Sequence, residues 1–350
     1  MRAMTTKPWL GLMLAAAVLP AGSALAQSTA APPPAAQAPS AQPPDTVSIW
    51  TLQDENAAVT TAELTDRYYT NGLRLGWTSP ENAAPGFLED FGKLLWGEGR
   101  MRVAFDLTQQ IYTPDDDNDP SGYPPLTDRP FAGVLMGTGS LIHDGANARS
   151  VFSVGLGVVG PAALAQSVQN NFHNWIDQYH TSGWSTQLHD EPLLEITSQR
   201  TWRLPVATVG GLDTDALPEI TAAAGNLRIY AQTGVTLRIG QGLDSDYGTA
   251  RMLPGLTGTD VFRPTRPFAW YVFVGADGQG VARDLTLQGN TWQDSRSVKI
   301  KNAVAEFQGG LALMAYGARA TFTDVAQTQE FKHQKGGLHQ FGSLALSVRF

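Results

Sequence analysis

Residues 341–350 read FGSLALSVRF. Counting back from Phe350, the apolar residues Phe350, Val348, Leu346 and Leu344 alternate with Arg349, Ser347, Ala345 and Ser343, which are polar or small. Successive side chains of a strand point to opposite faces, so this is a strand with one greasy face. The period recurs upstream: Ile229, Ala231, Thr233, Val235, Leu237 and Ile239 alternate with Arg228, Tyr230, Gln232, Gly234, Thr236 and Arg238. A barrel wall with hydrocarbon on one side and a polar lumen on the other produces this pattern without any long apolar run. A soluble β-sandwich is the competing reading.

An aromatic last residue on such a strand resembles the C-terminal signature of bacterial outer-membrane β-barrels. Strand patterning is found at 47–55, 68–79, 100–113, 130–143, 148–159, 190–204, 216–224, 227–240, 267–288, 300–315, 318–331 and 340–350. The count is even, as such barrels require, and predicts an all-β, twelve-stranded antiparallel transmembrane β-barrel. With the N-terminus in the periplasm, the loops after odd strands lie on the outer surface, and short links such as Asp144-Gly145 and Tyr316-Gly317 fall on the periplasmic side. Pro80 to Gly97 is a long exception, with Phe87, Leu88, Phe91, Leu94, Leu95 and Trp96 at helical spacing, and reads as a packed plug or an interfacial turn. Trp77, Trp270, Tyr271 and Trp292 read as interface-belt aromatics.

The N-terminal residues lie outside this pattern. Arg2 and Lys7, the apolar run Trp9 to Leu19 and Ala24-Leu25-Ala26 predict a secretory signal peptide over 1–26. Residues 27–45, nearly all Ala, Pro, Gln and Ser, predict an extended linker, leaving 46–350 for the barrel. The chain has no cysteine, so disulfides and thiolate metal sites are excluded. A net charge of -8 and the lack of a basic tract argue against nucleic acid as a partner.

One outer segment does not read as strand or turn. In Gly160 to Asp177, GPAALAQSVQNNFHNWID, Pro161 suits a first helical position and Leu164, Val168, Phe172, Trp175 and Ile176 recur on one side. Gln169 and His173, four apart, share the neighbouring face of this short helix. Around it on the outer rim stand Asp54-Glu55-Asn56, the run Thr65 to Gly72, Gln109 to Thr113, Asp128 to Gly133, and Gly183-Trp184 with Gln187 and Glu191. A pore would line its whole circumference with charge, whereas these clusters come from the first six strands only. A histidine titrating near neutrality suits the activation of water, and a hard cation with oxygen ligands suits the stabilisation of an oxyanion. His180 and His189 read as solvated loop residues.

These residues resemble the outer-membrane lipid A 3'-O-deacylases of the LpxR family. TDRYYTNGLRLGW, DRPFAG, GPAALAQSVQNNFH, GWSTQLHDEP and the closing FGSLALSVRF carry the likeness, which covers nearly all of the mature domain. It implies a twelve-stranded barrel in the Gram-negative outer membrane, inserted by the barrel-assembly machinery, with its site between the wall and a loop helix facing the outer leaflet. It implies hydrolysis of the 3'-linked acyloxyacyl chain of lipid A, by histidine-activated water and a calcium-assisted oxyanion hole. His173 would be the base, Gln169 its support, and Asn56 and Thr70 would complete the site.

In two places the chain departs from the family pattern. Asp54-Glu55-Asn56-Ala57 puts alanine where the family has a calcium-binding Asp. Either Asp54, Glu55 or Asp66 replaces that ligand, or the metal is held weakly and the chain is a poor or inactive enzyme, a barrel that binds lipopolysaccharide or conducts solutes. Phe131 replaces a tyrosine frequent in the family. The run Asp115 to Asp119 lacks the glycine and the final acid of a calcium loop, at Pro120 and Leu126, and reads as a solvated outer loop. A phospholipase-type barrel would use a serine nucleophile, and no Ser/His pair stands at matching strand positions.

Overall fold

The computed structural model describes residues 43–60, 67–115, 123–177 and 181–350. The signal segment, the linker up to Gln42, Asp66 and His180 lie outside the described residues, as does the acidic run beyond Asp115. The strands are β1 (Ile49–Asn56), β2 (Tyr68–Thr78), β3 (Arg100–Thr113), β4 (Ala132–Asp144), β5 (Ala148–Val159), β6 (Glu191–Trp202), β7 (Leu204–Val209), β8 (Leu212–Gly225), β9 (Arg228–Gln241), β10 (Phe268–Asp284), β11 (Ala303–Ala315), β12 (Ala318–Gln327) and β13 (His339–Arg349). Three helices are interspersed: α1 (Gly86–Trp96), α2 (Ala165–Trp175) and α3 (Leu285–Gln288).

All pairings are antiparallel, and the sheet closes on itself. β1 pairs with β2 on one side and β13 on the other, while β6 meets β8 from Glu195 opposite Gly225 to Thr201 opposite Glu219. β7 continues that register unbroken, with Leu204 opposite Ala216. β6 and β7 are therefore one wall strand interrupted at Arg203, and the thirteen segments make the twelve-stranded barrel that the patterning predicts. The strand ends at Trp202 to Ala216 extend beyond the pattern because Pro205 and Gly210-Gly211 read as turn.

The two faces divide as the alternation requires. Leu52, Leu75, Phe105, Leu107, Leu156, Leu237, Val274 and Leu346 stand exposed on the outside, while Gln53, Arg74, Arg102, Arg238, Glu306 and Arg319 are buried inside. Among the described residues no helix is long and apolar enough to cross a membrane, and the exposed apolar residues named above lie on the strands.

Buried charge fills the lumen, and a long connection completes it. Residues 242–267, between β9 and β10, fold into the barrel from the end opposite α2. Asp246, Arg251 and Asp260 of this segment meet wall residues: Arg238 at 2.5 Å and Arg319 at 2.9 Å from Asp246, Glu306 at 2.6 Å from Arg251, and Arg74 at 2.5 Å from Asp260. Each of these plug charges thereby meets a buried wall charge of opposite sign, and Arg238 and Arg74 keep a second partner in the wall, Asp215 and Asp106. Its tip reaches far up the lumen, where Met252 N donates to Glu55 Oε1 at 2.9 Å and Met252 O accepts from Gln110 Nε2 at 3.0 Å.

Helix α1, by contrast, lies outside. Phe91 packs on Phe152 of the outer wall and Trp96 on His143, each at 5.5 Å between rings, while Phe87 and Leu94 are exposed. Pro80 to Gly97 is thus an interfacial element, and the plug is the later loop. Tyr271 also departs from the belt reading: it is buried in the lumen and donates to Asp246 Oδ2 at 2.9 Å. The hydroxyl needs a partner when buried, and the ion network supplies one.

Candidate functional site

The candidate site is built on the outer face of β1 to β4, at the end where α2 connects β5 to β6. One cross-strand row runs Asn56 to Asn71 to Ile111 to Gly133. The row below it runs Asp54 to Leu73 to Gln109 to Leu135. Both lie on the face that carries exposed Leu52 and Leu75 one row further down, so amides and a carboxylate occupy positions where lipid-facing apolar residues belong.

Helix α2 covers the β4 end of these rows. Ala165 and Ile111 are buried together with Phe131 and Trp184, and Val168 packs against them. Gln109 Nε2 ties the preceding turn down by donating to Ala163 O at 2.6 Å. Eleven residues give a helix about 16 Å long, enough to cover roughly three strand spacings.

Helix α2 turns the face that carries Gln169 and His173 toward the wall. Ala165, Gln169 and His173 form its buried face, with Gln169 4% and His173 7% exposed. Phe172 at 48% and Trp175 at 80%, with Leu164 and Ile176, point away from the wall. The physical reason is the solvent. A helix lying on the outside of a membrane barrel has hydrocarbon beyond it, so its apolar side turns outward and its polar side meets the protein. Gln169 Oε1 accepts from Trp184 Nε1 at 3.0 Å, which turns the amide's NH2 group the other way.

Thr70 is the extra residue of a β-bulge. Tyr69 lies opposite Tyr112 and Asn71 opposite Ile111, leaving Thr70 out of the register. Its hydroxyl is 2.7 Å from that of Thr113, and its carbonyl accepts from Ala57 N at 3.0 Å. Two non-glycine residues beside the site adopt left-handed backbone, Tyr68 at φ 64° and Leu164 at φ 61°, the latter capping α2. Such strain persists where surrounding packing imposes it, as it does at many functional sites.

Of the expected metal ligands, Asp54 and Glu55 lie on opposite faces of β1. Glu55 faces the lumen, wholly buried, and accepts from Tyr69 Oη at 2.8 Å, Gln53 Nε2 at 3.1 Å and Met252 N at 2.9 Å. Period-2 alternation put it on the opposite face from its neighbours. Asp54 and Asn56 face outward; Asp54 Oδ1 accepts from Asn71 Nδ2 at 2.8 Å, and Asn56 Oδ1 from Ala58 N at 2.7 Å. Asp66 lies outside the described residues. Among the described residues no three His, Asp or Glu side chains converge on one point. The outward donors are oxygens on one strand face, a set that fits a hard cation held openly, with room for water, rather than a closed cage. Ala57 is buried and contributes no side-chain oxygen.

Phe131 is buried against Trp184 with 5.0 Å between rings. His189 is exposed and holds Asn290 through its backbone. Sequence patterning passed over the roles of Thr113, Trp184 and Gly133, whose signal is tertiary: a hydroxyl contact across strands, a clamp on Gln169, and a bare backbone beneath Ala165. It also passed over the plug, for which the length of the 242–267 connection, on a side where barrels keep their turns short, was the available sign.

A family model described as "Outer membrane protein LpxR" matches residues 12–350. The solved structure of LpxR from Salmonella typhimurium is similar with a TM-score of 0.71 and 21% identity, covering 87% of this chain and 100% of that one. The β domain of the Bordetella autotransporter Brka gives a TM-score of 0.39 at 10% identity, covering 87% of this chain and 98% of the other. Among curated protein sequences none matches.

Proposed function

Because this chain belongs to the LpxR family of outer-membrane proteins, we propose that it hydrolyses the 3'-linked acyloxyacyl ester of lipid A at the site between α2 and the outer wall. The observation that carries the proposal is a histidine buried against the lipid-facing wall, beside a row of polar residues where hydrocarbon-facing ones belong. A substrate whose ester lies at the level of the upper acyl chains reaches this face from the bilayer without entering the barrel.

In this reading His173 accepts a proton from water on an imidazole nitrogen as the water oxygen attacks the ester carbonyl. The acyl carbon–oxygen bond then breaks, and the imidazolium returns the proton to the departing sugar oxygen. Gln169, held by Trp184, positions the histidine or the water from one helical turn away. One hydroxyl of the Thr70–Thr113 pair and the Asn56 amide supply donors for the carbonyl oxygen as it becomes an oxyanion. Calcium, held by Asp54 and Asn56 with water, would add positive charge at that oxygen. The site faces the outer leaflet, and the barrel-assembly machinery inserts the chain.

The test is a mass spectrum. Full-length protein in detergent with calcium converts lipid A to a species lighter by the 3' acyl groups, and His173→Ala does not. An unchanged spectrum with wild-type protein would overturn the enzyme reading in favour of a barrel that binds lipopolysaccharide. A conducting pore is disfavoured by the plug, whose charged residues occupy the lumen.

A further inference from the structure

Four of the chain's six lysines, Lys299, Lys301, Lys332 and Lys335, fall in two loops at the α2 end of the barrel, in a protein whose net charge is -8. The first two precede β11 and the others lie between β12 and β13. Backbone pairing joins the loops: Ile300 and Phe331 form an antiparallel bridge, Lys301 N donates to Glu330 O at 2.7 Å, and Lys332 N donates to Lys299 O at 2.9 Å. Ile300 and Phe331 are buried together beneath the bridge, so the flanking residues alternate to the other face. Lys299 and Lys332, both exposed, therefore stand opposite each other.

Like charges opposite one another across a ladder are unfavourable. Lys335 has Asp115 at 3.0 Å, and Lys301 donates to Gln329 at 2.5 Å. No carboxylate lies within ion-pair distance of Lys299 or Lys332 among the described residues. An anion seated between the two ammonium groups would remove their repulsion, and lysine serves well as a point charge for phosphate. The location agrees with that occupant. Phe331, under the bridge, meets the Tyr68 ring edge-on at 5.8 Å, and Tyr68 precedes the Thr70 bulge by two residues on β2. A lipid with its ester against the outer wall presents its sugar headgroup at this rim.

We propose that Lys299 and Lys332 together receive a phosphate group on the sugar headgroup of the lipid substrate. The inference rests on the lipid A reading and identifies which feature of that lipid is recognised. The experiment compares bis-phosphorylated lipid A with its dephosphorylated counterpart, using full-length protein, the double variant Lys299→Gln/Lys332→Gln and the charge-keeping Lys299→Arg/Lys332→Arg. Binding is measured in the His173→Ala background to prevent turnover, and kinetics with His173 present. The glutamine pair should weaken binding of the phosphorylated lipid at least tenfold and raise its KM alike, with kcat within twofold. Binding of the dephosphorylated lipid should not change, and the arginine pair should behave as wild type. Equal weakening for both lipids, or no weakening, would overturn the proposal. So would lysine-dependent binding of inorganic phosphate with no preference between the lipids. Because binding is read without turnover, an enzymatically silent wild type would sink the deacylase reading while the phosphate comparison still decides this one.

Discussion

A methyl group placed on Gly133 would stand 2.4 Å from the Cβ of Ala165. Carbon atoms do not pack at that distance, so α2 lies against β4 only because position 133 has no side chain. Gly133→Val therefore lifts α2, and His173 with it, off the wall. Displacement of catalytic groups by about 1 Å costs on the order of 100-fold in rate, so deacylation should fall by about that factor. Thermal unfolding followed by circular dichroism should stay within a few degrees of wild type, because the β3–β4 strand pairing is kept. Full activity in this variant would show that the seating of α2 does not matter.

Asp54 and Glu55 are chain neighbours on opposite faces of β1, and substitutions should separate their roles. Asp54→Asn should raise the calcium concentration needed for half-maximal activity roughly tenfold, as loss of a charged ligand weakens an open oxygen site. Glu55→Gln should leave that concentration unchanged but lower stability by about 1–3 kcal/mol, because buried donors lose a charged acceptor. Calcium titrations and denaturant unfolding read the two effects. The opposite assignment of effects would put the cation on the lumen side.

The outward apolar face of α2 predicts immersion in the acyl region. Lipids brominated on their acyl chains should quench part of the intrinsic fluorescence of the reconstituted protein, and Trp175→Phe should remove a measurable share of that quenching. Phe172→Ser/Ile176→Ser should raise KM several-fold with little change in kcat. Quenching unaltered by Trp175→Phe would mean that the helix lies outside the bilayer.

Asp45, just before β1, is buried with Arg102 at 2.6 Å and Arg349 at 2.7 Å. Burial raises its pKa, but hydrogen bonds and charge from Arg349 and Arg102 outweigh it, and the carboxyl is held below the usual 3.8. A depressed folded-state value means stability that is present above pH 3.8 and lost as pH falls through the folded value. Between neutrality and the ordinary carboxylate range Asp45→Asn should melt lower than wild type, and below that range the two should converge. Parallel pH profiles would remove Asp45 from the acid response. Asp45 precedes β1 and packs against the barrel through Arg102, Arg349 and the Glu81 carboxylate, which accepts from its backbone N–H.

The plug supplies a fifth test. Replacing residues 250–258 by a short Gly/Ser linker removes Arg251, whose guanidinium lies 2.6 Å from Glu306 and 3.3 Å from Asp277. Planar bilayers should then show conductance that the intact protein lacks, with a preference for cations because lumen carboxylates lose their partner. Large conductance in the intact protein would revive the pore reading.

Much of this protein was legible because membrane barrels impose a two-residue period on every wall strand. Leu344 and Leu346 point outward, and Ser343 and Ser347 inward, as the alternation of FGSLALSVRF requires. His173 and Gln169 were legible as a pair four apart, and Thr70 and Asn56 as polar residues at strand ends. Less legible were matters of face and partner. The apolar stripe of α2 marked a helix but not which side meets the wall, because the rule that apolar faces pack inward holds for water as the solvent and reverses in hydrocarbon. Glu55 was grouped with Asp54 by proximity in the chain, although adjacent strand residues face opposite sides.

The sequence alone determined the strand period, the even count, the loop helix and the family motifs, because each is written in local spacing. Only the tertiary structure decided that residues 242–267 fill the lumen, that α2 shows its histidine to the wall, and that Lys299 faces Lys332. Those facts depend on pairings between residues far apart in the chain. In each case the partner, and the solvent on the far side, set the outcome.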